Sequence, residues 1–193
     1  MSPLVSATEE PAPQPAAGPA RGVLDAGAFE ALFKECAADV HGYLISLLGD
    51  RAAAEDVTAM AFERLYRSRG RLDHRRGTPR AWLFAIARNA ALDELRQRRR
   101  RSRYDVGDDL AAGGRGSDDA LEDVERRASV RDALASLPLR ERELVLLKFH
   151  GQLSNGELAR TMGISESNVG TRLHRALTRL REQCADGDGE RAA

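Results

Sequence analysis

Apolar residues recur at three- and four-residue spacing along most of the chain, which is the pattern of amphipathic helices. Three such helices are predicted before residue 104. The first runs from about Phe29 to Leu47 and ends near Gly49, the second covers 52–67, and the third begins at Pro79, a residue suited to the first helical turn. The third helix is apolar over more than half of its circumference, so it is predicted to lie in the middle of a bundle.

A second group of helices is predicted over residues 127–184. It follows a segment at 104–126 that is rich in glycine and aspartate and has little periodicity. Pro138 separates two of these helices and Gly151 ends the second of them. The core residues are predicted to be Leu134, Leu137, Leu144, Val145, Leu147 and Phe149.

The pattern therefore predicts an all-α protein with two small helical domains joined by a flexible acidic linker. The domains cover residues 25–103 and 127–184, and the linker covers 104–126. Residues 1–24 are predicted to be a disordered leader, because their proline, alanine and polar content cannot bury enough surface to fold. Residues 185–193 are predicted to be a disordered tail.

The segment at 153–182 carries the most specific local motif. Ser154 and Glu157 have the spacing of a capping box, Gly163 supplies a tight turn, and Ser165 caps a longer helix. Two helices joined in this way form a helix-turn-helix. Short polar side chains and arginines on the outer face of its second helix suit base and phosphate contacts in a major groove. A structural hairpin with a basic face is the alternative interpretation.

Charge is sorted along the chain, although 30 basic and 30 acidic residues cancel overall. Residues 67–103 hold thirteen arginines and three acids, a net charge of +10, whereas 25–66 and 104–136 each carry −5. A dense positive block between negative segments predicts a polyanionic partner. A helix C-terminus favours cations by only a fraction of a kcal/mol each, which does not account for five arginines among residues 98–103. A solvated basic face without a partner is the alternative.

Several classes of protein are disfavoured. No apolar run approaches the roughly 20 residues needed to cross a bilayer, and the N-terminus lacks the features of a signal peptide. Cys36 and Cys184 are too few and too distant for a disulfide framework, so a reduced, cytoplasmic location is predicted. The four histidines share no metal-ligand spacing, and no catalytic set or phosphate loop stands out. The sequence predicts no enzyme, no metal and no cofactor.

Two separated blocks resemble the extracytoplasmic-function (ECF) sigma factors, minimal members of the sigma-70 family. The segments "AEDVTAMAFERLYR" and "PRAWLFAIARNAALDELRQRRR" resemble region 2 of that family. The segment "LPLRERELVLLKFHGQLSNGELARTMGISESNVGTRLHRALTRLRE" resembles region 4. The resemblance spans about 25–183. It implies a protein that binds core RNA polymerase, recognises the −10 element as a single strand and the −35 element in the major groove, and initiates transcription.

The resemblance also implies roles for particular residues. The −10 contacts would come from Arg75, Arg76, Arg80, Trp82, Arg88, Asn89, Arg96, Arg99 and Arg100. The −35 contacts would come from Ser165, Ser167, Asn168, Thr171, Arg172 and Arg175. Core polymerase would be bound by Asp56, Met60, Glu63 and Arg67. For Trp82 a place in the core is an equal alternative. The chain departs from the family where Ala59–Met60 replaces a common Gln–Glu pair and Gly170 a common lysine.

Three alternative functions are considered. The first is a conventional helix-turn-helix repressor or activator, which binds duplex DNA without polymerase. The second is an enzyme, and the third is a sigma-like adaptor that binds polymerase without initiating transcription. The repressor hypothesis explains the helix-turn-helix at 153–182, but it assigns no function to the basic segment at 67–103. The resemblance implies an anti-sigma factor as a partner, and the linker would permit it to bind between the domains. The linker itself would lie in the RNA exit path or serve as a solvated tether.

Overall fold

A computed structural model describes residues 24–71, 77–104 and 121–191. Within those residues the regular structure consists of seven α-helices and a short 3₁₀ turn at Arg69–Arg71, so the prediction of an all-α protein is confirmed. The helices are α1 (Ala26–Leu48), α2 (Arg51–Ser68), α3 (Pro79–Tyr104), α4 (Leu121–Ser136), α5 (Leu139–Phe149), α6 (Asn155–Met162) and α7 (Glu166–Arg191). No helix in this part of the chain is long and apolar enough to span a membrane.

The junction between α1 and α2 follows from three local signals. Gly49 takes the left-handed conformation (φ 67°) that glycine adopts without steric cost, and this ends α1. Asp50 then caps α2 by accepting a hydrogen bond from the Ala53 amide at 3.1 Å. That amide and the nearby Arg98 guanidinium hold the pKa of the Asp50 carboxyl below its ordinary value.

Helices α1, α2 and α3 form the first bundle. Helix α3 packs against both α1 and α2 and presents Leu83, Phe84 and Ala87 to a core in which they are fully buried. The Phe84 ring meets the Tyr43 ring of α1 edge to face, with centroids 5.7 Å apart. Trp82 is only partly buried and packs at the margin of this core.

Helices α4 to α7 form the second bundle. The capping box at Ser154 and Glu157 is present, and Gly163 ends α6 in the left-handed conformation (φ 67°). The Ser165 hydroxyl accepts a hydrogen bond from the backbone N–H of Asn168 at 3.3 Å, as predicted for the cap of α7. The placement of Phe149 in the core is wrong: Phe149, the last residue of α5, is 61 % exposed, although Leu146 and Leu147 in the same turn are buried.

The two bundles share one continuous apolar core. Leu144 and Leu147 of α5, Leu153, and Leu158 of α6 are buried in the same cluster as the core residues of the first bundle. The sequence predicts two domains on a tether and contains no local signal for this packing, because the contacts join residues far apart in the chain.

Three boundaries differ from the sequence prediction. Leu24, assigned to the leader, is buried. Helix α4 begins at Leu121, inside the predicted linker, where residues 121–126 contain neither glycine nor proline. Helix α7 continues to Arg191, because no proline follows Pro138 to stop a helix. The remainder of the predicted leader, linker and tail lies outside the described residues.

Candidate nucleic-acid interface

Arg80 is positioned by the first turn of α3 and is only 15 % exposed. Its guanidinium forms an ion pair with Asp39 of α1, and it donates to the backbone carbonyls of His150 at 3.0 Å and Gly151 at 2.7 Å. Arg80 therefore joins the two bundles in this structure. The predicted DNA contact by Arg80 requires that these partners release it.

Arg88 lies two turns further along α3 and is also largely buried, at 16 % exposed. It donates to Glu143 of α5 at 3.2 Å, and the Glu143 side chain is only 1 % exposed. Burial raises the pKa of the Glu143 carboxyl, and the positive charge of Arg88 opposes that rise. Arg88, which is predicted to contact DNA, is thus paired with a carboxylate of the second bundle in this structure.

The other predicted −10 residues that the structure describes lie nearer solvent. Asn89, Arg96, Arg99 and Arg100 are exposed on α3, and Arg96 pairs with Asp93 of the same helix at 2.8 Å. Arg75 and Arg76 lie outside the described residues. The structure therefore brings together an amide and several cations along one side of α3.

Two clefts border this side of α3, and Asn89 lines both. The arginine cleft has a volume of about 570 Å³ and includes Arg88, Arg96, Arg99 and Arg140 in its walls. The tryptophan cleft has a volume of about 400 Å³ and includes Thr78 and Trp82 of the first bundle with Glu157 and Arg160 of the second. Since α5 and α6 supply one wall of each cleft, both clefts depend on the packing of the two bundles.

Arg98 differs from its arginine neighbours because it is a structural residue. It donates to Asp50 and to Glu94, at 2.9 Å in both cases, and so joins α3 to the start of α2. Arg99, Arg100 and Arg101 are exposed, and no acidic partner for them lies within the described residues. Of the four arginines at 98–101, Arg98 is therefore structural, and the other three face solvent.

The outer face of α7 carries the predicted −35 residues on one side of a capped helix. Ser165, Ser167, Thr171 and Arg175 are exposed, while Asn168 and Arg172 are partly buried. The Arg172 Nε donates to the Asn168 side-chain oxygen at 2.9 Å, which fixes the direction of the guanidinium. All six predicted residues are therefore brought together.

Gly170 lies within this face. A Cβ atom built on Gly170, which is exposed, would meet nothing within 4 Å. The glycine reflects no steric requirement of the fold. It exposes backbone and lowers helix stability by about 1 kcal/mol relative to alanine.

A third surface lies on α2. Asp56, Met60, Glu63 and Arg67 are all exposed on its outer side, and Glu63 pairs with Arg67 at 2.6 Å. Met60 is 39 % exposed, and a flexible, polarizable methionine is a side chain that adaptable interfaces use. The structure brings the four predicted polymerase-binding residues together.

The sequence prediction missed Glu143 and Glu157, which pair with Arg88 and with Thr78 beside the predicted −10 residues of α3. Glu143 had a detectable signal, because Leu139, Leu146 and Leu147 lie at helical spacing around it on the apolar side of α5. An acid in such a position needs a buried partner. The sequence could not identify that partner as Arg88.

Two parts of the chain match models of one known family. Residues 32–101 match the family model for Sigma-70 region 2, and residues 127–180 match that for Sigma-70, region 4. The chain is 32 % identical over 157 residues to the ECF RNA polymerase sigma factor SigL of Mycobacterium tuberculosis, covering 81 % of this chain and 89 % of SigL. It is 36 % identical over 156 residues to the RNA polymerase sigma factor CarQ of Myxococcus xanthus, covering 80 % and 88 %.

A solved structure shows the same fold. The sigma factor RpoE in complex with the anti-sigma factor NepR from Bartonella quintana superposes with a TM-score of 0.70 at 22 % identity, covering 80 % of this chain and 95 % of that one. A helical protein with both matched regions in this order is an RNA polymerase sigma factor. The chain belongs to the ECF group of the sigma-70 family. A conventional repressor is not favoured, because region 2 matches the first bundle.

Proposed function

We propose that this sigma factor divides promoter recognition between its two bundles. The face of α7 reads the −35 element as duplex, the exposed side of α3 captures bases of the melted −10 strand, and the outer side of α2 binds core polymerase. The observation that carries this proposal is the separation of three exposed surfaces with different chemistry on three different helices. Two of these surfaces are cationic and one contains an exposed methionine.

The α7 surface suits the major groove. Its short polar side chains lie near the helix N-terminus, where a recognition helix presents residues to base edges. Arg172 follows one turn later, and its contact with Asn168 orders the guanidinium before DNA arrives. An ordered guanidinium loses less conformational entropy on binding and suits bidentate contact with guanine.

The α3 surface suits a melted strand. Asn89 offers both a donor and an acceptor, and Trp82 offers an aromatic surface beside it in the tryptophan cleft. Base stacking on an aromatic side chain contributes about 1–3 kcal/mol. Capture of unpaired bases by such a surface can offset the cost of melting.

Run-off transcription with core polymerase tests the proposal through Arg172→Ala. We expect wild-type protein to direct initiation from specific start sites, and the variant to lose about 1–3 kcal/mol of −35-dependent initiation. Arg131→Ala, which removes an exposed arginine of α4, is the control and should initiate normally. Equal initiation with and without the wild-type chain would contradict the proposed function.

The proposal extends to a protein inhibitor. RpoE of Bartonella quintana was solved with an anti-sigma factor, and the present chain shares its fold. We expect purification of this sigma factor from its own cells to return a protein that is not a polymerase subunit. Recovery of core polymerase alone, under several stress conditions, would contradict this part of the proposal.

A further inference from the structure

Four of the nine aromatic side chains of the protein form one cluster where α1 packs against α2. The Phe29 ring meets the rings of Phe62 and Tyr66 edge to face, with centroids 6.4 Å and 5.1 Å apart. The Phe33 ring meets the Phe62 ring in the same way at 4.7 Å. These four side chains are called the aromatic patch.

Half of the aromatic patch faces solvent. Phe62 is buried and Phe29 is partly buried, whereas Phe33 and Tyr66 are 45 % and 43 % exposed. A single exposed apolar side chain is ordinary on a protein surface, but large apolar side chains exposed in one cluster mark an interaction site. The patch therefore has the character of a surface that another segment covers.

The described part of the chain begins beside the aromatic patch. Leu24 is buried, and its backbone N–H donates to the Arg69 carbonyl at 3.4 Å. Arg69 directly follows α2, and its guanidinium lies over the Tyr66 ring, 3.8 Å from the ring centroid. The backbone that precedes Leu24 therefore leaves the first bundle next to Tyr66.

Residues 1–23 lie outside the described residues, and their composition suits an aromatic surface. They contain five of the seven prolines of the protein, four of them in the segment PAPQPAAGP at 11–19, here called the proline segment. It has no charged residue and only one polar side chain, Gln14. Proline-rich sequences favour the polyproline II conformation, which needs no internal hydrogen bonds and no core of its own. In that conformation they bind surfaces lined by aromatic side chains.

The proline segment is close enough to reach the aromatic patch. Pro19 precedes Leu24 by five residues, which span about 16 Å in a polyproline II helix. Phe33 follows Leu24 by nine residues, which span about 14 Å along a helix. So short a tether gives an effective concentration on the order of 1 mM, at which a contact with a Kd of about 1 mM is half formed. Even a weak contact is therefore substantially populated.

We propose that the proline segment docks on the aromatic patch of the same chain. Three observations select this occupant: the chain enters the fold beside Tyr66, the prolines are concentrated within reach, and the exposed rings offer the surface that a polyproline II helix recognises. The docking goes beyond the proposed function, which assigns no role to the patch. It also differs from the sequence prediction, in which residues 1–24 form a disordered leader.

Fluorine NMR of the full-length chain, labelled with 3-fluorotyrosine, tests the docking. The readout is the shift of the Tyr66 signal between H₂O and D₂O, which increases as more water contacts the ring. Tyr66→Phe removes this signal and so identifies it, and the buried Tyr43 is an internal reference.

Two matched variants of the proline segment are compared with the wild-type chain. In the first, serine replaces the four prolines, namely Pro11, Pro13, Pro15 and Pro19. In the second, serine replaces four other residues of the same segment, namely Ala12, Gln14, Ala16 and Ala17, and the prolines are kept. Both variants alter only residues outside the described fold.

We expect the isotope shift of Tyr66 in the wild-type chain to be about half of that in the variant without prolines, as for a contact that is half formed. The variant that keeps the prolines should resemble wild type. Phe33→Ala removes part of the patch and should abolish the effect of replacing the prolines. Phe149→Ala, at an exposed aromatic residue of α5, should preserve that effect. Circular dichroism establishes that each variant is folded.

Equal isotope shifts of Tyr66 with and without the prolines would overturn the proposed docking. A Tyr66 signal that changes on dilution would assign the patch to a second copy of the chain. A ring that loses contact with water only after core polymerase is added would assign the patch to polymerase. Either of these results would also overturn docking of the proline segment.

Discussion

Replacing Arg99, Arg100 and Arg101 together by glutamine should weaken promoter binding by the holoenzyme and flatten its dependence on salt. These side chains are exposed near the end of α3, in a segment with a large positive charge. Each phosphate contact to duplex DNA contributes about 0.9 to the slope of log affinity against log salt. Loss of three contacts lowers the slope by about 2.7 and the affinity on the order of 100-fold at physiological ionic strength.

The measurement is a salt titration of promoter binding by fluorescence anisotropy. The control variant removes the same amount of positive charge elsewhere. In it, glutamine replaces three exposed cations outside α3, namely Lys34, Arg51 and Arg131. A slope that falls equally in both variants would indicate a general effect of net charge. In that case Arg99, Arg100 and Arg101 would not contact the DNA backbone.

Asn89→Ala should impair formation of the open complex while binding to core polymerase is unchanged. Asn89 is exposed, it lines both clefts, and no hydrogen bond of its side chain holds the fold together within the described residues. One base-specific contact is typically worth about 1–3 kcal/mol. Permanganate footprinting of unpaired thymines should therefore show roughly a 10- to 100-fold loss in open complex.

Two further variants separate base capture from other effects. Gln97→Ala removes the other exposed side-chain amide of α3, and we expect this variant to form the open complex normally. Met60→Asp should have the opposite effect to Asn89→Ala. We expect it to lose binding to core polymerase, because a charge replaces the exposed thioether. Equal loss of core binding in Asn89→Ala would make Asn89 a structural residue.

Local features of the fold could be predicted from the sequence because their causes lie within a few residues. The capping box at Ser154, the left-handed glycines at positions 49 and 163, and the apolar arc of α3 each depend on short-range geometry. The outward face of α7 followed from helical periodicity in the same way. These elements are present as predicted.

The features that could not be predicted depend on long-range partners. The resemblance assigns Arg80 and Arg88 to DNA, but their partners lie 41 or more residues away in the chain. The sequence does not distinguish Arg98 from the neighbouring arginines, because no local pattern indicates its contact with Asp50. Helical periodicity places a side chain on a face, but it does not specify which element covers that face.

The brace at Arg98 has a consequence for the spacing of events along a promoter. Arg98 joins α3 to the α1–α2 junction, and the segment between Asn89 and Arg99 is continuous α-helix. Ten residues at 1.5 Å each span about 15 Å, which corresponds to roughly four base pairs at 3.4 Å per step. Under the proposed function, α3 therefore sets the distance between base capture at Asn89 and phosphate contact at Arg99, and lengthening α3 by one turn between them would increase that distance by about 5.4 Å.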